Sequence, residues 1–545
     1  MKRLTLLTSV LLFQLMIFCD PADLDTSFSN IGYFYGDQQA AFAAALQPDG
    51  KVVAVGKNGD QVLATRYLTN GLQDSTANGG SGFGTNGQGY MGTIVSGTTD
   101  NQARNVALQD DGKIVSVGTL VNNTGSVPQI LLNRYLDNGL FDTTTNGGSG
   151  FGTSGQGFYT EPISNFTIDG ITGLAIQSDG SIIIGGYGSS SGINNLFIIG
   201  FTSEGLIDTS FGTSGITIIS IGTDIIGGRI ALQDDSILIT GATIIASEYN
   251  LVVARFNSTG LLDTAFGSDS LGYITTTTNS TLGASSNYIV TQTDNTILIG
   301  GSITVETSVN NTIVARYTLN GSLDTTFGNG VGYVTTSIPS LPLDTKILGL
   351  ATEASGKIVG FGQGSNNSYY SFIVIRYNTD GSLDTEFYPD GYITPYFGAG
   401  SENGYAVPIQ DDGKLILVGQ ANNLLFMARY LGGTAPQDVI APIESYGFNP
   451  NFVSESLYST FYTTIITNSQ AQAATVSAMN SILSNYESDY ANQPNFNYIS
   501  YLYLLEDELA AAHITLEAAY PDSSTEIDLF FSYLDDRILS LTTPC

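Results

Sequence analysis

One short motif recurs seven times along this chain, and it constrains the fold more than any other feature. An aspartate, usually within Leu-Asp-Thr-x-Phe, returns at a mean interval of about 60 residues. The copies are Asp25, Asp74, Asp142, Asp208, Asp263, Asp324 and Asp384. Repeats of this kind are small units that bury a core only by packing on their neighbours. The sequence therefore predicts a repeat architecture.

Each repeat contains the signals for four short strands. A hairpin with an Asp-Gly turn between apolar segments lies at 45–56, 107–118 and 409–419. A third strand ends in Arg and an aromatic residue, and a Gly-Tyr-Ile-Thr-Thr segment such as 272–276 supplies the fourth. Because a closed ring protects sheet edges, this pattern predicts an all-β seven-bladed β-propeller with four-stranded antiparallel blades over residues 23–433. A β-solenoid or a pair of β-sandwiches is the alternative.

The third strand of most repeats carries an arginine, and the next recurrent aspartate lies eight residues further along the chain. This fixed spacing predicts charge-assisted pairs that hold a turn. The predicted pairs are Arg66 with Asp74, Arg134 with Asp142, Arg255 with Asp263, Arg316 with Asp324, and Arg376 with Asp384. Asp25 lacks a preceding arginine and Arg429 lacks a following aspartate, so we expect these two residues to meet where the ring closes. The third repeat has Gly200 in place of the arginine.

The recurring segments resemble the delta-60 repeat family of bacterial secreted and surface proteins. Units of that family carry Leu-Asp-x-x-Phe-Gly, a Gln-x-Asp-Gly-Lys hairpin and an Ala-Arg-Tyr strand. The similarity is clearest at 262–267, 323–328, 108–118 and 315–317, and it extends from residue 24 to about residue 431. The resemblance implies a propeller-like fold, and it brings no defined activity and no catalytic residues.

The two ends of the chain differ from the repeats. Lys2 and Arg3 precede an apolar run, which predicts a signal peptide over 1–22 and a secreted or cell-surface location. A lipid anchor on Cys19 is the alternative. The segment 434–450 is predicted to be a linker, and helical spacing of apolar residues predicts a small α-helical domain over 451–545 that caps the propeller or mediates assembly. No membrane span is predicted in the mature chain.

Charge and the reactive residues restrict the function further. The formal net charge of −32 argues against nucleic acid as a partner. His513 is the only histidine, so a histidine-dependent triad or metal site lacks its parts. We therefore predict no catalytic residues, no cofactor-binding residues and no metal ligands. Calcium bound at Asp-Gly turns such as 378–384 is the alternative.

Two similar glycine-rich insertions, 78–89 and 146–157, each contain G-x-G-x-x-G. No helix is predicted after either insertion, which argues against a dinucleotide site. We interpret them as loops that form a candidate ligand rim. The candidate rim residues are Asn78, Gly82, Asn86, Asn146, Gly150 and Ser154.

Taken together, these patterns predict a non-enzymatic scaffold whose propeller loops bind an unknown extracellular ligand, either a protein or a glycan. One alternative is a carbohydrate-active hydrolase or lyase with carboxylates at the propeller axis. The other alternative is a structural component of the cell envelope.

Overall fold

A computed structural model describes most of the repeat region. The described residues are 22–36, 40–122, 128–163, 166–190, 192–277, 283–307, 309–366, 368–397 and 401–432. They lie within one compact unit, Asp20–Gly433. The predicted linker and α-helical domain lie outside the described residues, as does the predicted signal peptide apart from Ala22.

The described residues form 28 β-strands and four short 3-10 turns, without an α-helix. In chain order the strands are β1 (Tyr33–Tyr35), β2 (Ala40–Leu46), β3 (Val52–Asn58), β4 (Gln61–Tyr67), β5 (Tyr90–Thr93), β6 (Thr98–Leu108), β7 (Ile114–Asn122), β8 (Pro128–Tyr135), β9 (Phe158–Tyr159), β10 (Thr167–Ile176), β11 (Ile182–Ser190), β12 (Ile193–Phe201), β13 (Ile216–Ile219), β14 (Ile225–Gln233), β15 (Ser236–Ile245), β16 (Glu248–Phe256), β17 (Tyr273–Thr277), β18 (Ala284–Thr291), β19 (Ile297–Glu306), β20 (Val309–Tyr317), β21 (Tyr333–Thr336), β22 (Asp344–Thr352), β23 (Ile358–Ser365), β24 (Tyr370–Tyr377), β25 (Tyr392–Ile393), β26 (Glu402–Ala406), β27 (Leu415–Ala421) and β28 (Leu424–Tyr430).

Consecutive strands pair in antiparallel sets of four, beginning with β2–β5. The sets β18–β21 and β22–β25 join into one eight-stranded sheet through a single parallel pairing of Asn310 with Asp344. The last set consists of β26–β28 and the N-terminal strand β1, in which Tyr33 pairs with Ala428. These findings confirm the prediction of an all-β, propeller-like fold made from four-stranded antiparallel sheets.

The first strands of successive sets form a ring. Contacts run from β2 to β6 and β10, continue through β14, β18 and β22, and return from β26 to β2. The core lies between neighbouring sets; for example, Val115 and Leu132 of one set pack in the same cluster as Ile182 and Phe197 of the next. Because the middle strands are buried on both faces, they are continuous apolar runs in the sequence.

Every first strand has a β-bulge at an equivalent position. The bulged residues are Phe42, Arg104, Thr172, Gly228, Asn287, Leu348 and Tyr405. A glycine of the second strand lies opposite each bulge. A larger residue does not fit there, because its Cβ atom would approach a carbonyl oxygen of the first strand too closely. The distance would be shortest at Gly301, 1.8 Å, and longest at Gly241, 2.7 Å. The bulges therefore explain why the hairpin motif ends in glycine. A bulge also commonly changes the direction in which a side chain points.

Candidate functional site

The structure brings together all six predicted Arg–Asp pairs. In each pair the arginine Nε donates to Oδ2 of the aspartate, at 2.6 to 2.8 Å. The pair expected at ring closure, Arg429 with Asp25, joins residues 404 positions apart. Asp25 precedes β1 and Arg429 lies on β28, so this pair belongs to the set that contains both chain ends of the ring.

Each paired arginine also contacts the next set of strands. Arg66 Nη1 donates to the carbonyl of Asp137 at 2.6 Å, and its guanidinium lies 4.7 Å from the centre of the Phe83 ring. The equivalent carbonyl acceptors are Ser203 for Arg134, Leu319 for Arg255, Thr379 for Arg316, Gly432 for Arg376 and Thr69 for Arg429. The pairs therefore stabilise the joints between neighbouring sets.

Five of the six paired aspartates have a lowered pKa in the folded chain. Burial alone would raise the pKa of Asp74, but a hydrogen bond from Ser81 and the positive charge of Arg66 outweigh burial, and the pKa is lowered. Comparable contacts outweigh burial and lower the pKa at Asp25, Asp142, Asp324 and Asp384. These five aspartates thus serve as counter-ions for arginine.

The candidate rim residues lie in two loops that pack on these joints. Ser81 Oγ donates to Asp74 at 2.9 Å, and Asn78 Nδ2 donates to the carbonyl of Gln73 at 2.9 Å. Ser149 and Asn146 make the corresponding contacts in the second loop. A β-strand follows each loop, which is not the context of a dinucleotide-binding helix. A role of these loops in ligand binding stays a prediction.

Arg104 and Arg229 differ from every other lysine and arginine in the described part of the chain. All the others form ion pairs with aspartate or glutamate. Within the same residues, Arg104 and Arg229 form no ion pair, and no hydrogen bond reaches their guanidinium groups; the charge of Asp100 acts on Arg104 only at longer range. Asp100, on the same strand as Arg104, instead pairs with Lys57 at 3.0 Å.

Aromatic rings surround these two arginines. The guanidinium of Arg104 lies 4.1 Å from the centre of the Phe42 ring, and Phe42 makes an edge contact with Tyr405 at 5.8 Å between ring centres. The guanidinium of Arg229 lies 5.1 Å from the centre of the Tyr288 ring. All five residues occupy the bulge of a first strand or the position after it. Arg104 interacts electrostatically with Tyr405 and with Arg229, which belong to sets that do not adjoin its own, and we infer that these side chains face the centre of the ring.

A cavity of about 350 Å³ lies among the first strands. Its wall includes Asn105, Leu174, Arg229, Tyr288 and Thr291. This volume is within the range of small-molecule sites, and such sites combine apolar walls with a few polar groups. We call this space, together with Arg104, Phe42 and Tyr405, the axial site.

The electrostatics of the axial site favour an anion. Burial lowers the pKa of Arg104 and of Arg229, and the positive charge of Arg104 lowers the pKa of Arg229 further. The two cations are thus close enough to repel each other in a poorly hydrated space. Since arginine stays protonated at neutral pH, both charges persist there. The first strands place neither Asp nor Glu at the bulge or at the next position.

Arg104 and Arg229 were not among the site residues predicted from the sequence. An alignment of the repeats on the hairpin glutamine would have isolated them, because Arg104 lies five residues before Gln109 and Arg229 four residues before Gln233. Those two positions vary among charged, aromatic and small residues, whereas the strand around them is largely apolar. That variability within a regular repeat was the available signal.

The described residues hold no group of three or more His, Cys, Asp and Glu side chains placed to bind a metal ion. No helix in this part of the chain has the length and apolar character needed to cross a membrane.

Four segments match a family model described as "Domain of unknown function (DUF5122) beta-propeller". The matched segments are 177–211, 232–266, 292–327 and 353–387, and each runs from the hairpin to the phenylalanine of the joint. These matches support a propeller-repeat family of unknown function, and the delta-60 name stays a prediction. No curated protein matches this chain.

Solved structures with a similar arrangement include virginiamycin B lyase from Staphylococcus aureus, with 10% identity and a TM-score of 0.40 over 73% of this chain and 98% of that one. Polysaccharide lyase Uly1 has 12% identity and a TM-score of 0.39 over 76% and 98%. Drosophila Semaphorin 2a has 9% identity and a TM-score of 0.41 over 76% of each chain. At these scores the similarities carry no information about function.

Proposed function

We propose that this chain is a seven-bladed propeller that binds a small ligand carrying a carboxylate or phosphate group in its axial site. The observation that carries the proposal is the pair of arginines, Arg104 and Arg229, which are desolvated and form no ion pair within the described residues. Each of the seven four-stranded sets is one blade.

The physical argument rests on the cost of placing charges away from water. A buried charge is unfavourable unless it is paired, and two like charges close together add to that cost. A carboxylate or phosphate between Arg104 and Arg229 would remove both penalties, because guanidinium groups bind these oxyanions through paired N–H donors. Phe42, Tyr288 and Tyr405 supply apolar walls for the remainder of the ligand.

The axial residues favour binding over hydrolysis. Most glycoside hydrolases act through two carboxylates that flank the bond to be cleaved. The polar side chains at the two axial positions of the described first strands are those of arginine, tyrosine, asparagine and threonine, and none is a carboxylate. We therefore propose a non-enzymatic binding protein. With the predicted signal peptide and the resemblance to delta-60 repeats, we propose that it acts as a secreted or cell-surface protein.

Isothermal titration calorimetry on the full mature chain tests this proposal. The probes are galacturonate and inorganic phosphate, and neutral galactose is the control ligand. We expect at least one anion to bind, and we expect Arg104→Gln and Arg229→Gln each to weaken binding about tenfold or more, since a hydrogen bond to a charged group contributes about 1.5–3 kcal/mol.

The matched control variant is Lys113→Gln, which also removes one positive charge but changes an exposed pair with Asp111. It should leave the affinity unchanged. The proposal fails if neither anion binds the wild-type chain, if the arginine variants bind as tightly as the wild type, or if galactose binds equally well.

A further inference from the structure

The third blade, β10–β13, lacks the arginine that every other blade places at its joint. Gly200 occupies the position, yet the backbone around it keeps the common pattern. Asp208 N donates to the Gly200 carbonyl at 3.0 Å, as Asp263 N donates to the Arg255 carbonyl at 2.9 Å in the fourth blade. The substitution therefore removes a guanidinium group without changing the fold of the joint.

The groups that bind this guanidinium in other blades are all present in the third blade. Asp208 takes the place of the paired aspartate, and its Oδ1 accepts from the Ser210 N and Oγ atoms at 2.9 and 2.6 Å. In the other blades, Oδ2 of the aspartate accepts from arginine Nε, but among the described residues no donor reaches Oδ2 of Asp208. The carbonyl of Ser258, three residues after Arg255, occupies the place of the carbonyl that accepts from arginine Nη1, and it too has no donor there.

A cavity of about 140 Å³ lies next to Gly200 and Asp208. Gln177, Gly200, Asp208, Phe211 and Ser258 line it. Gln177 corresponds to Gln233, whose Oε1 accepts from Arg255 Nη1 at 2.7 Å in the next blade. The cavity thus combines a carboxylate, an amide, a free carbonyl and an aromatic ring, and this set of groups surrounds the guanidinium in the neighbouring blade.

We propose that this cavity, which we call the third-joint cavity, binds the guanidinium group of a ligand from outside the chain. Six joints of the same molecule hold a guanidinium with matching contacts, so the geometry for this group is already built. The formal net charge of −32 attracts cations to the surface in addition. Ser210 and Thr259 at the cavity wall are exposed, which gives a ligand access from solvent.

Phe211 decides the direction of entry. A Cβ atom on Gly200 would lie 2.4 Å from Cγ of Phe211, so the ring has moved over the glycine and blocks a side chain that comes from β12. The same ring still packs against Gly260 of the next blade, as Phe266 packs against Gly321. A ligand that enters from solvent does not pass through the Cβ position, so the ring leaves it free to reach Asp208.

Saturation-transfer NMR on the full mature chain tests the third-joint cavity. The two probes are methylguanidinium and N-acetyl-arginine amide, each at about 10 mM, far below the molar concentrations at which guanidinium unfolds proteins. Urea, which is similar in shape but uncharged, is the control ligand. We expect saturable binding of at least one probe, and at least a tenfold loss of affinity in Asp208→Asn.

The control variant Asp224→Asn removes an exposed carboxylate outside the cavity and should bind like the wild type. Circular dichroism identifies any variant that does not fold. Equal binding of the two probes would indicate that a free guanidinium compound suffices, whereas binding of the arginine amide alone would indicate an arginine side chain of a partner. Binding unchanged in Asp208→Asn, or no binding of either probe, would overturn the proposal.

Discussion

At the residue scale, each joint arginine stabilises two neighbouring blades because its N–H donors point in several directions. Arg255 Nε donates to Asp263 within its own blade, and its Nη1 donates to the carbonyl of Leu319 in the next. The eight-residue spacing in the sequence predicts the first contact. The second contact could not be predicted, because a carbonyl acceptor has no identity in the sequence and its position depends on how two blades pack.

The substitution Asp142→Asn should lower the free energy of unfolding by about 3 kcal/mol, because it leaves the buried Arg134 without its counter-ion. Urea denaturation measures the loss. Asp208→Asn is the matched control, since the same change is made at the equivalent position of the blade that has no arginine; its cost should be below about 1 kcal/mol. Similar losses in the two variants would show that the charge pair is not what stabilises the joint.

The axial arginines should show the opposite behaviour. Without ligand, Arg229→Met removes a desolvated charge that repels Arg104 and replaces it with an apolar side chain of similar length. We expect the free energy of unfolding to rise by about 1 kcal/mol, as is common when a residue kept for function is replaced. Thermal unfolding in ligand-free buffer measures this effect. A marked loss of stability would mean that Arg229 serves the fold and not a ligand.

At the scale of elements, the bulge of each first strand and the glycine opposite it form one structural unit, because each requires the other. The hairpin motif predicts both strands and their Asp-Gly turn, and the glycine that ends the motif is visible in the sequence at Gly56, Gly118 and Gly419. The bulge itself was not predicted, because one extra residue in an apolar strand leaves little trace in its periodicity. For the same reason the axial residues Phe42 and Tyr405 could not be distinguished from ordinary core residues.

The substitution Gly301→Ala tests whether the bulge requires a glycine opposite it. The added Cβ would lie 1.8 Å from the carbonyl oxygen of Ser285, and neither backbone can move without breaking the hairpin, so we expect a loss of about 3 kcal/mol. Gly241→Ala is the graded comparison, because its Cβ would lie 2.7 Å from the nearest oxygen and should cost about 1 kcal/mol. Chemical denaturation measures the loss in free energy of unfolding for each variant. Equal losses would argue against the close approach of Cβ and carbonyl oxygen as the cause.

At the scale of the whole molecule, the ring closes by pairing strands from the opposite ends of the repeat region. β1 supplies the fourth strand to β26–β28, and Arg429 pairs with Asp25 across 404 positions of sequence. The sequence predicts this closure only through two exceptions to the eight-residue spacing: Asp25 lacks a preceding arginine, and Arg429 lacks a following aspartate. Each joint then depends on the next around the ring, so a titration that weakens all joints together should be visible in the stability of the entire domain.

Acid provides that titration. The pKa values of Asp25, Asp142 and Asp384 are lowered in the folded chain, because hydrogen bonds and arginine charges outweigh burial, as they do at Asp74 and Asp324. Unfolded aspartate titrates near pH 3.9. A group whose pKa is lowered by folding contributes its full stability above about pH 4 and loses it as the pH falls through the folded value.

We therefore expect the thermal midpoint of the domain to stay nearly constant from about pH 7 to pH 5 and to fall steeply below about pH 4. The single histidine of the chain, His513, lies outside the repeats, so the propeller has no histidine that titrates near pH 6. Asp142→Asn should fall less steeply, because it carries one ion pair fewer that acid can break. Scanning calorimetry at several pH values measures these slopes, and a decline between pH 7 and pH 5 would indicate that other groups control the stability.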